Sequence, residues 1–183
     1  MIITLTGKPC SGKSSVASAL KDMFGFETYS VGEIFKEEAK KRNMSSEEFN
    51  KFLMCDPKYD NLLDERTKEL GILWQDKNIV FDSRLAWHFI PHSFKVFLDL
   101  DEEEMAKRLS SSNRVGKEKY ENVDEAKRTL IERFNAENKR YQKFYGIDNT
   151  DMKNYDLVLS SKDKSPEELA TQIYHAYKKH FNI

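Results

Sequence analysis

Residues 7–14, which read Gly-Lys-Pro-Cys-Ser-Gly-Lys-Ser, constrain the fold of this chain more than any other stretch. They match the pattern G-x-x-x-x-G-K-[ST] at every fixed position. The short β-branched and apolar run 2–6 precedes them, as expected of a buried parallel strand. Residues 14–23 follow, with apolar side chains at helical spacing. This order of strand, loop and helix predicts an α/β fold built around a phosphate-binding loop.

The residue types of the loop suit a bound polyphosphate. Gly7 and Gly12 allow the backbone to curl so that its N–H groups point inward, and the next helix adds the positive end of its dipole. Lys13 is predicted to reach the β- and γ-phosphate oxygens, and the Ser14 hydroxyl to bind Mg²⁺. The predicted phosphate-binding residues are Gly7, Lys8, Pro9, Cys10, Ser11, Gly12, Lys13, Ser14 and Ser15. We expect nucleoside triphosphate binding; a chance glycine-rich turn is the alternative.

Composition narrows the class of protein. A length of 183 residues suits one α/β domain, and 30 basic against 31 acidic residues leave no basic footprint for nucleic acid or a membrane surface. The two cysteines, Cys10 and Cys55, suggest reduced thiols in a cytoplasmic protein without disulfides or a zinc site. We expect neither a signal peptide nor a membrane span, and we assign the four histidines no role.

The remaining chain alternates strand and helix patterns, which predicts a parallel sheet with ligands at the carboxyl ends of its strands. The further predicted strands are 26–30, 78–82, 94–100 and 156–160. Three helical patterns within about 31–75 exceed an ordinary crossover and predict an inserted helical subdomain. The segment 111–122 lacks apolar periodicity and predicts a lid loop.

Asp82 and Arg84 directly follow the third predicted strand. A carboxylate there can orient Mg²⁺ through water, and an arginine can bind a phosphate through two parallel hydrogen bonds. The alternative is that Asp82 caps the next helix while Arg84 forms a surface ion pair.

A long helix is predicted from a cap at Asp124 to about Tyr145. Arg133, Glu137 and Arg140, spaced i, i+4 and i+7, form a strip along the edge of its apolar face. Charges at that edge are expected to face a cleft; an ordinary surface pair at i,i+4 spacing is the alternative.

Four further cations are candidate ligands. Arg108 and Arg114 lie near the start of the predicted lid and suit a loop that closes over phosphates and excludes water, although a basic loop without a role fits the composition as well. Lys36 and Arg66 lie in the inserted helices, where a single cation is more often a surface charge than a ligand.

Taken together, the sequence resembles the short, archaeal type of cytidylate kinase, a branch of the nucleoside monophosphate kinases. Besides the phosphate loop, the resemblance rests on segments 30–35, 46–50, 64–66, 84–86, 140–141, 145–148 and 155–158. It implies a five-stranded parallel sheet flanked by helices, a monophosphate-binding insertion and a lid. It also implies transfer of the γ-phosphoryl group of ATP to CMP or dCMP with Mg²⁺. We expect a monomer whose partners are small-molecule nucleotides.

The residue pattern and the resemblance together predict roles for single residues. The predicted acceptor-side residues are Lys36, Arg66, Asp82, Arg84 and Glu137; the catalytic cations are Lys13, Arg108, Arg114, Arg133 and Arg140; and the metal-holding pair is Ser14 with Asp82. Glu137 is expected to support the acceptor's ribose or the arginines. No strong base is required, because an acceptor phosphate is already an anionic nucleophile.

The sequence departs from the family pattern at four positions. Lys36 stands where an arginine is usual, and Ser83 replaces a glycine. Met105 replaces a basic residue and Ser112 a lid arginine, so Arg114 is expected to substitute. Two other functions stay open at this point: a kinase of another small acceptor, and a nucleotide-binding regulatory module without transfer.

Overall fold

One parallel sheet of five strands organises the computed structural model, which describes residues 1–55, 58–111, 120 and 122–183. The strands are β1 (Ile2–Gly7), β2 (Glu27–Ser30), β3 (Ile79–Asp82), β4 (Phe94–Asp99) and β5 (Leu157–Ser160). Their order is β2-β3-β1-β4-β5, so β1 lies in the centre between β3 and β4. Leu5 lies opposite both Asp82 and Val96, which brings the carboxyl ends of the three strands to one edge. The predicted five-stranded parallel sheet is confirmed.

Helices cover both faces of this sheet. They are α1 (Lys13–Phe24), α2 (Val31–Lys41), α3 (Ser46–Cys55), α4 (Lys58–Leu73), α5 (Ala86–Phe89), α6 (Glu102–Ser111), α7 (Val123–Tyr145) and α8 (Pro166–Phe181), with a 3₁₀ turn at Met152–Asn154. In the described part of the chain, every helix is too short or too polar to cross a lipid bilayer.

The larger core lies between the sheet and the pair α1 and α8. Ile3 and Leu5 of β1 pack there against Val16 of α1 and Ile173 of α8. Every residue of the central strand β1 is buried, because helices cover both faces of the sheet there. This packing fixes α1, and therefore the loop that precedes it, relative to the strand ends.

Helices α2, α3 and α4 separate β2 from β3, as the helical patterns predict. Helix α3 begins with a reciprocal capping pair: the Glu48 backbone N–H donates to Ser45 Oγ at 3.1 Å, and the Ser45 N–H donates to Glu48 Oε2 at 2.7 Å. Phe49 and Leu53 form a small core of their own with Ala39 of α2. The predicted lid at 111–122 falls almost entirely on residues 112–119 and 121, which lie outside the described residues.

The cap predicted for the long helix is wrong by two residues. Asn122 is the N-cap, because its Oδ1 accepts a hydrogen bond from the Glu125 N–H at 2.9 Å, and Asp124 lies in the first turn. Asn and Asp cap helices about equally well, so the local sequence does not separate the two positions. Along the helix, Ala126 and Leu130 are buried, as the apolar periodicity predicts.

Candidate active site

The turn between β1 and α1 forms the predicted phosphate loop. Gly12 has φ 85° and Cys10 has φ 60°, so the backbone enters the left-handed region twice before α1 begins. Gly7 is required for a different reason: a Cβ there would lie 2.4 Å from the Leu98 carbonyl oxygen of β4. The loop therefore curls at Cys10 and Gly12, while Gly7 allows close approach to the neighbouring strand.

Lys13 and Ser14 occupy the first turn of α1. Lys13 Nζ lies 3.4 Å from the Gly7 carbonyl oxygen, to which it donates a hydrogen bond. Burial, and next the positive charge of Arg84, lower the pKa of Lys13 to about 8. Ser14 Oγ donates to Asp82 Oδ2 at 2.8 Å, because the pairing of β1 with β3 places Asp82 beside the loop.

Two cationic side chains hold the loop on the β4 and β5 side. Lys8 Nζ lies 2.7 Å from the Asp99 carboxylate. Arg108 of α6 donates to the Cys10 carbonyl oxygen at 3.1 Å, to Glu104 Oε1 at 3.1 Å and to the Ser161 backbone. These contacts place Arg108 against the loop. They also give Ser161 a role that nothing in its local sequence indicates.

Among the described residues, three cavities adjoin this region. The central cavity, of about 290 Å³, is lined by the loop, Lys13, Ser14 and Asp82. The outer cavity, of about 430 Å³, lies between the loop, Arg108 and the start of α8. The insertion-side cavity, of about 130 Å³, is lined by Val31, Gly32, Phe35, Lys36, Ser46, Asp64, Ser83, Arg84, Leu85, Arg133, Glu137 and Tyr141.

The central and insertion-side cavities have a wall in common. This shared wall consists of Gly32, Lys36, Ser83, Arg84 and Arg133, which line both cavities. Three of its five members are cations, and they come from α2, from the turn after β3 and from α7. Anionic groups held in the two cavities would therefore meet at a strongly positive boundary.

Glu137 holds the two arginines of the shared wall. Its carboxylate forms an ion pair with the Arg84 guanidinium and lies 3.9 Å from Arg133 Nε. Glu137 is only 8% exposed, and the Arg84 guanidinium lies 5.3 Å from the centre of the Phe134 ring. A buried carboxylate between two guanidinium groups fixes their orientation without neutralising both.

Of the predicted site cations in the described residues, Lys8, Arg66 and Arg140 do not line these cavities, and Lys8 pairs with Asp99 instead. Arg66 has a side chain that is 56% exposed and pairs with Glu69 at 3.1 Å, because α4 turns Asp64 rather than Arg66 toward the cavity. Arg140 is only 3% exposed, and its guanidinium lies 5.4 Å from the centre of the Tyr141 ring. Arg140 is therefore buried beside Tyr141 and does not belong to the cavity lining.

Two of the four family departures have structural explanations. Met105 is 2% exposed and packs with Leu109 and Ala126 between α6 and α7, so this position is a core position rather than a ligand position. Ser83 Oγ accepts hydrogen bonds from the Leu85 and Ala86 N–H groups at 3.3 and 3.2 Å, so its hydroxyl supports the start of α5. Ser112 and Arg114 lie outside the described residues.

Sequence reasoning missed several residues of the insertion-side cavity. Phe35, Asp64 and Tyr141 line it, although none of them was assigned a role. Asp64 lies in segment 64–66, one of the segments on which the family resemblance rests. Within that segment a role was predicted for Arg66, because it is a cation. Helical periodicity alone does not show how a helix is rotated against its neighbours when its apolar face is weakly defined.

The model of the cytidylate kinase-like family matches residues 2–163. The chain belongs to this family. A cytidylate kinase of Thermoplasma volcanium is 38% identical over 177 residues, which cover 94% of this chain and 89% of that protein. A cytidylate kinase of Methanocella arvoryzae is 36% identical and covers 96% of both chains. Membership confirms the predicted family and the predicted class of enzyme, a nucleoside monophosphate kinase.

A further relative has a different architecture. An S-adenosylmethionine-dependent nucleotide dehydratase of Lacinutrix mariniflava is 34% identical over 97% of this chain, but the match covers 36% of that protein. Among solved structures, shikimate kinase from Aquifex aeolicus superposes with a TM-score of 0.58 at 24% identity, covering 99% of this chain and 98% of the other. That likeness shows the fold, which is the P-loop kinase fold predicted from the sequence.

Proposed function

We propose that the protein transfers the γ-phosphoryl group of ATP to CMP or dCMP, which yields ADP and the corresponding pyrimidine nucleoside diphosphate. The observation that carries this proposal is the shared wall between the cavity that contains Lys13 and the insertion-side cavity. Two polyanionic substrates repel one another, and a fixed positive boundary between them favours the approach of their phosphates.

The phosphate loop suits the donor. Its backbone N–H groups and Lys13 would hold the β- and γ-phosphates in the central cavity, and the outer cavity beside Arg108 would receive the donor base. The insertion-side cavity would then receive the acceptor, with its phosphate against Arg84, Arg133 and Lys36. Lys36 provides a point charge there rather than a guanidinium fork.

The residues around Ser14 fit a magnesium ion. Ser14 Oγ and Asp82 Oδ2 are hard oxygen donors 2.8 Å apart at the edge of the central cavity. Mg²⁺ usually keeps several waters and takes phosphate oxygens, so two protein groups suffice to position it. When bound, the ion would neutralise charge on the β- and γ-phosphate oxygens.

The chemical step needs positioning more than acid–base catalysis. An oxygen of the acceptor phosphate attacks the γ-phosphorus, and the bond from that phosphorus to the β,γ-bridging oxygen breaks as its electrons pass to ADP. The acceptor phosphate is anionic at neutral pH, so no side chain must remove a proton from it. Lys13, Arg84 and Arg133 would orient the phosphates and neutralise the charge in transit.

Two further parts of the proposal concern the oligomeric state and the cellular location. We propose that the protein works as a monomer. Cys10 and Cys55 are the two cysteines of the sequence, a low content that suits a reducing compartment, and we propose a cytoplasmic location.

A coupled assay of ADP release tests the proposal over CMP, dCMP, UMP, AMP and shikimate. We expect turnover with CMP or dCMP, and Lys13→Met should lower it roughly 10²- to 10³-fold because a fixed cation is lost from the phosphates. Lys21→Met, an exposed lysine on the same helix, is the matched control and should keep full activity. Turnover only with shikimate would replace the acceptor class, and ATP binding without turnover would identify a regulatory module.

A further inference from the structure

Arg84 of the shared wall is held through its backbone as well as through its side chain. Its guanidinium forms an ion pair with Glu137 of α7, whereas its carbonyl oxygen accepts a hydrogen bond from the Trp87 indole N–H at 3.2 Å. The carbonyl oxygen of Ser83, one residue earlier, accepts from Thr6 Oγ1 at 3.0 Å. The turn that carries Arg84 is therefore attached to β1 on one side and to α5 on the other.

The same indole N–H makes a second, shorter hydrogen bond to a buried asparagine. It donates to Asn149 Oδ1 at 2.8 Å, and the Tyr155 hydroxyl donates to that oxygen at 2.9 Å and to the Asn149 carbonyl oxygen at 2.8 Å. Because an indole N–H can only donate, the atom that faces it must be the amide oxygen. Asn149 is only 1% exposed, and a buried amide is stable only where such bonds are made, so they fix its position.

The backbone of Asn149 connects this cluster to α7. Its N–H donates to Asn138 Oδ1 at 2.9 Å, and Asn138 Nδ2 donates to Asp148 Oδ1 at 3.1 Å. Asn138 is the chain neighbour of Glu137, whose carboxylate pairs with the Arg84 guanidinium. Arg84 is thus tied to α7 twice: once by its side chain, and once by its backbone through the indole and Asn149.

We infer that Asn149 is a positioning residue for phosphoryl transfer, because it holds the turn that carries Arg84 in register with the helix that carries Arg133. This inference rests on the proposed function and adds to it a residue outside the lining of the three cavities. The ion pair with Glu137 orients the guanidinium but leaves the backbone of the turn to be fixed by other contacts. A displacement of about 1 Å in a positioning group can lower a rate about 10²-fold.

The test measures kcat, the KM for CMP and the KM for ATP of Asn149→Ala, which removes the oxygen that accepts from Trp87 and Tyr155. We expect kcat/KM for CMP to fall about 10- to 100-fold, while the KM for ATP changes by less than about twofold, because the phosphate loop is held by other contacts. Asn135→Ala, an exposed asparagine of α7, is the matched control and should leave all three values unchanged.

A double-mutant cycle with Arg84→Ala separates positioning from general destabilisation. If Asn149 acts through Arg84, Asn149→Ala should change kcat/KM for CMP by less than about threefold in the Arg84→Ala background. The same loss in both backgrounds, an equal rise in the KM values for ATP and CMP, or full activity of Asn149→Ala would overturn the inference and leave phosphoryl transfer intact. Absence of transfer by the wild type to every nucleoside monophosphate would overturn the proposed function as well.

If circular dichroism shows that Asn149→Ala does not fold, Trp87→Phe decides. This variant keeps a ring beside Tyr155, where the ring centres now lie 5.5 Å apart, but removes the N–H that Arg84 and Asn149 share. A fall in kcat/KM for CMP with an unchanged KM for ATP supports the inference, and an unchanged kcat/KM overturns it. Trp74→Phe, at the other tryptophan of the chain, is the control and should retain full activity.

Discussion

The proposed donor site depends most on the positive charge of Lys13. In the free protein, the surroundings of Lys13 favour its neutral form. Burial and the nearby Arg84 lower its pKa to about 8, although Asp82 and Glu137 act in the opposite direction. Bound phosphates would bring negative charge to the ammonium group and raise that pKa again. Donor binding should therefore be coupled to proton uptake in the range where free Lys13 titrates.

This coupling predicts that ADP binds more weakly as the pH rises through about 8. Below that pKa the lysine is protonated in both the free and the bound protein, so its contribution does not change. At pH 9 most of the free protein must first take up a proton, so the affinity for ADP should be about tenfold lower than at pH 7. Isothermal titration calorimetry at both values measures this ratio.

Lys13→Met is the control for that experiment, because its side chain has no proton to gain. Its affinity for ADP should be lower throughout and should not change between pH 7 and pH 9. A wild-type affinity that is equally constant would show that Lys13 does not titrate in this range.

The residues that could be predicted are those whose position follows from the backbone alone. Asp82 and Arg84 follow a strand end, and the edge of a parallel sheet brings strand ends together whatever the side chains are. Arg66 and Arg140 could not be assigned in this way. Whether they reach a cavity depends on how α4 and α7 are rotated and how deeply they are buried, which only the packed structure determines.

At the scale of single elements, the turn from β3 into α5 joins the sheet to the shared wall. The Ser83 hydroxyl accepts hydrogen bonds from two backbone N–H groups of this turn. The backbone carbonyl oxygen of Ser83 accepts a hydrogen bond from Thr6 Oγ1 at 3.0 Å. The family pattern has a glycine at this position. The structure explains the serine, because its hydroxyl accepts hydrogen bonds from two backbone N–H groups, which a glycine could not do.

We therefore expect Ser83→Ala to lower the free energy of unfolding by about 1 kcal/mol, since it removes the acceptor for buried N–H groups. Urea denaturation followed by circular dichroism measures this change. Ser18→Ala, on the exposed face of α1, should change stability by less than about 0.5 kcal/mol. Equal stability of Ser83→Ala and the wild type would mean that water replaces the hydroxyl without cost.

Element types were easier to predict than element ends. Strong apolar periods and reciprocal caps, such as that of Ser45 with Glu48, indicate helices from short stretches of sequence. The start of α7 was misplaced because Asn122 and Asp124 are equally suitable caps. The inserted helices were recognised by their number between β2 and β3, but the cavity they enclose depends on contacts with α7, far away in sequence.

In the molecule as a whole, the proposed phosphoryl transfer depends on two cavities that meet at the shared wall. Strands β1 and β3 bring the loop, Asp82 and Arg84 to one edge, while α2 and α7 add Lys36 and Arg133 from opposite sides. No single element contains this arrangement. A ligand that spans both cavities should consequently bind through the donor and acceptor sites at once.

The most direct test is the affinity of a dinucleotide that joins adenosine and cytidine through five phosphates, measured by titration calorimetry beside ATP and CMP. The wild type should bind it at least about 100-fold more tightly than ATP. Arg84→Ala should lose most of that gain while its affinity for ATP changes little, and Arg128→Ala, an exposed arginine of α7, should retain the gain. A dinucleotide that binds the wild type no more tightly than ATP would contradict the claim that the two cavities form one phosphoryl-transfer site.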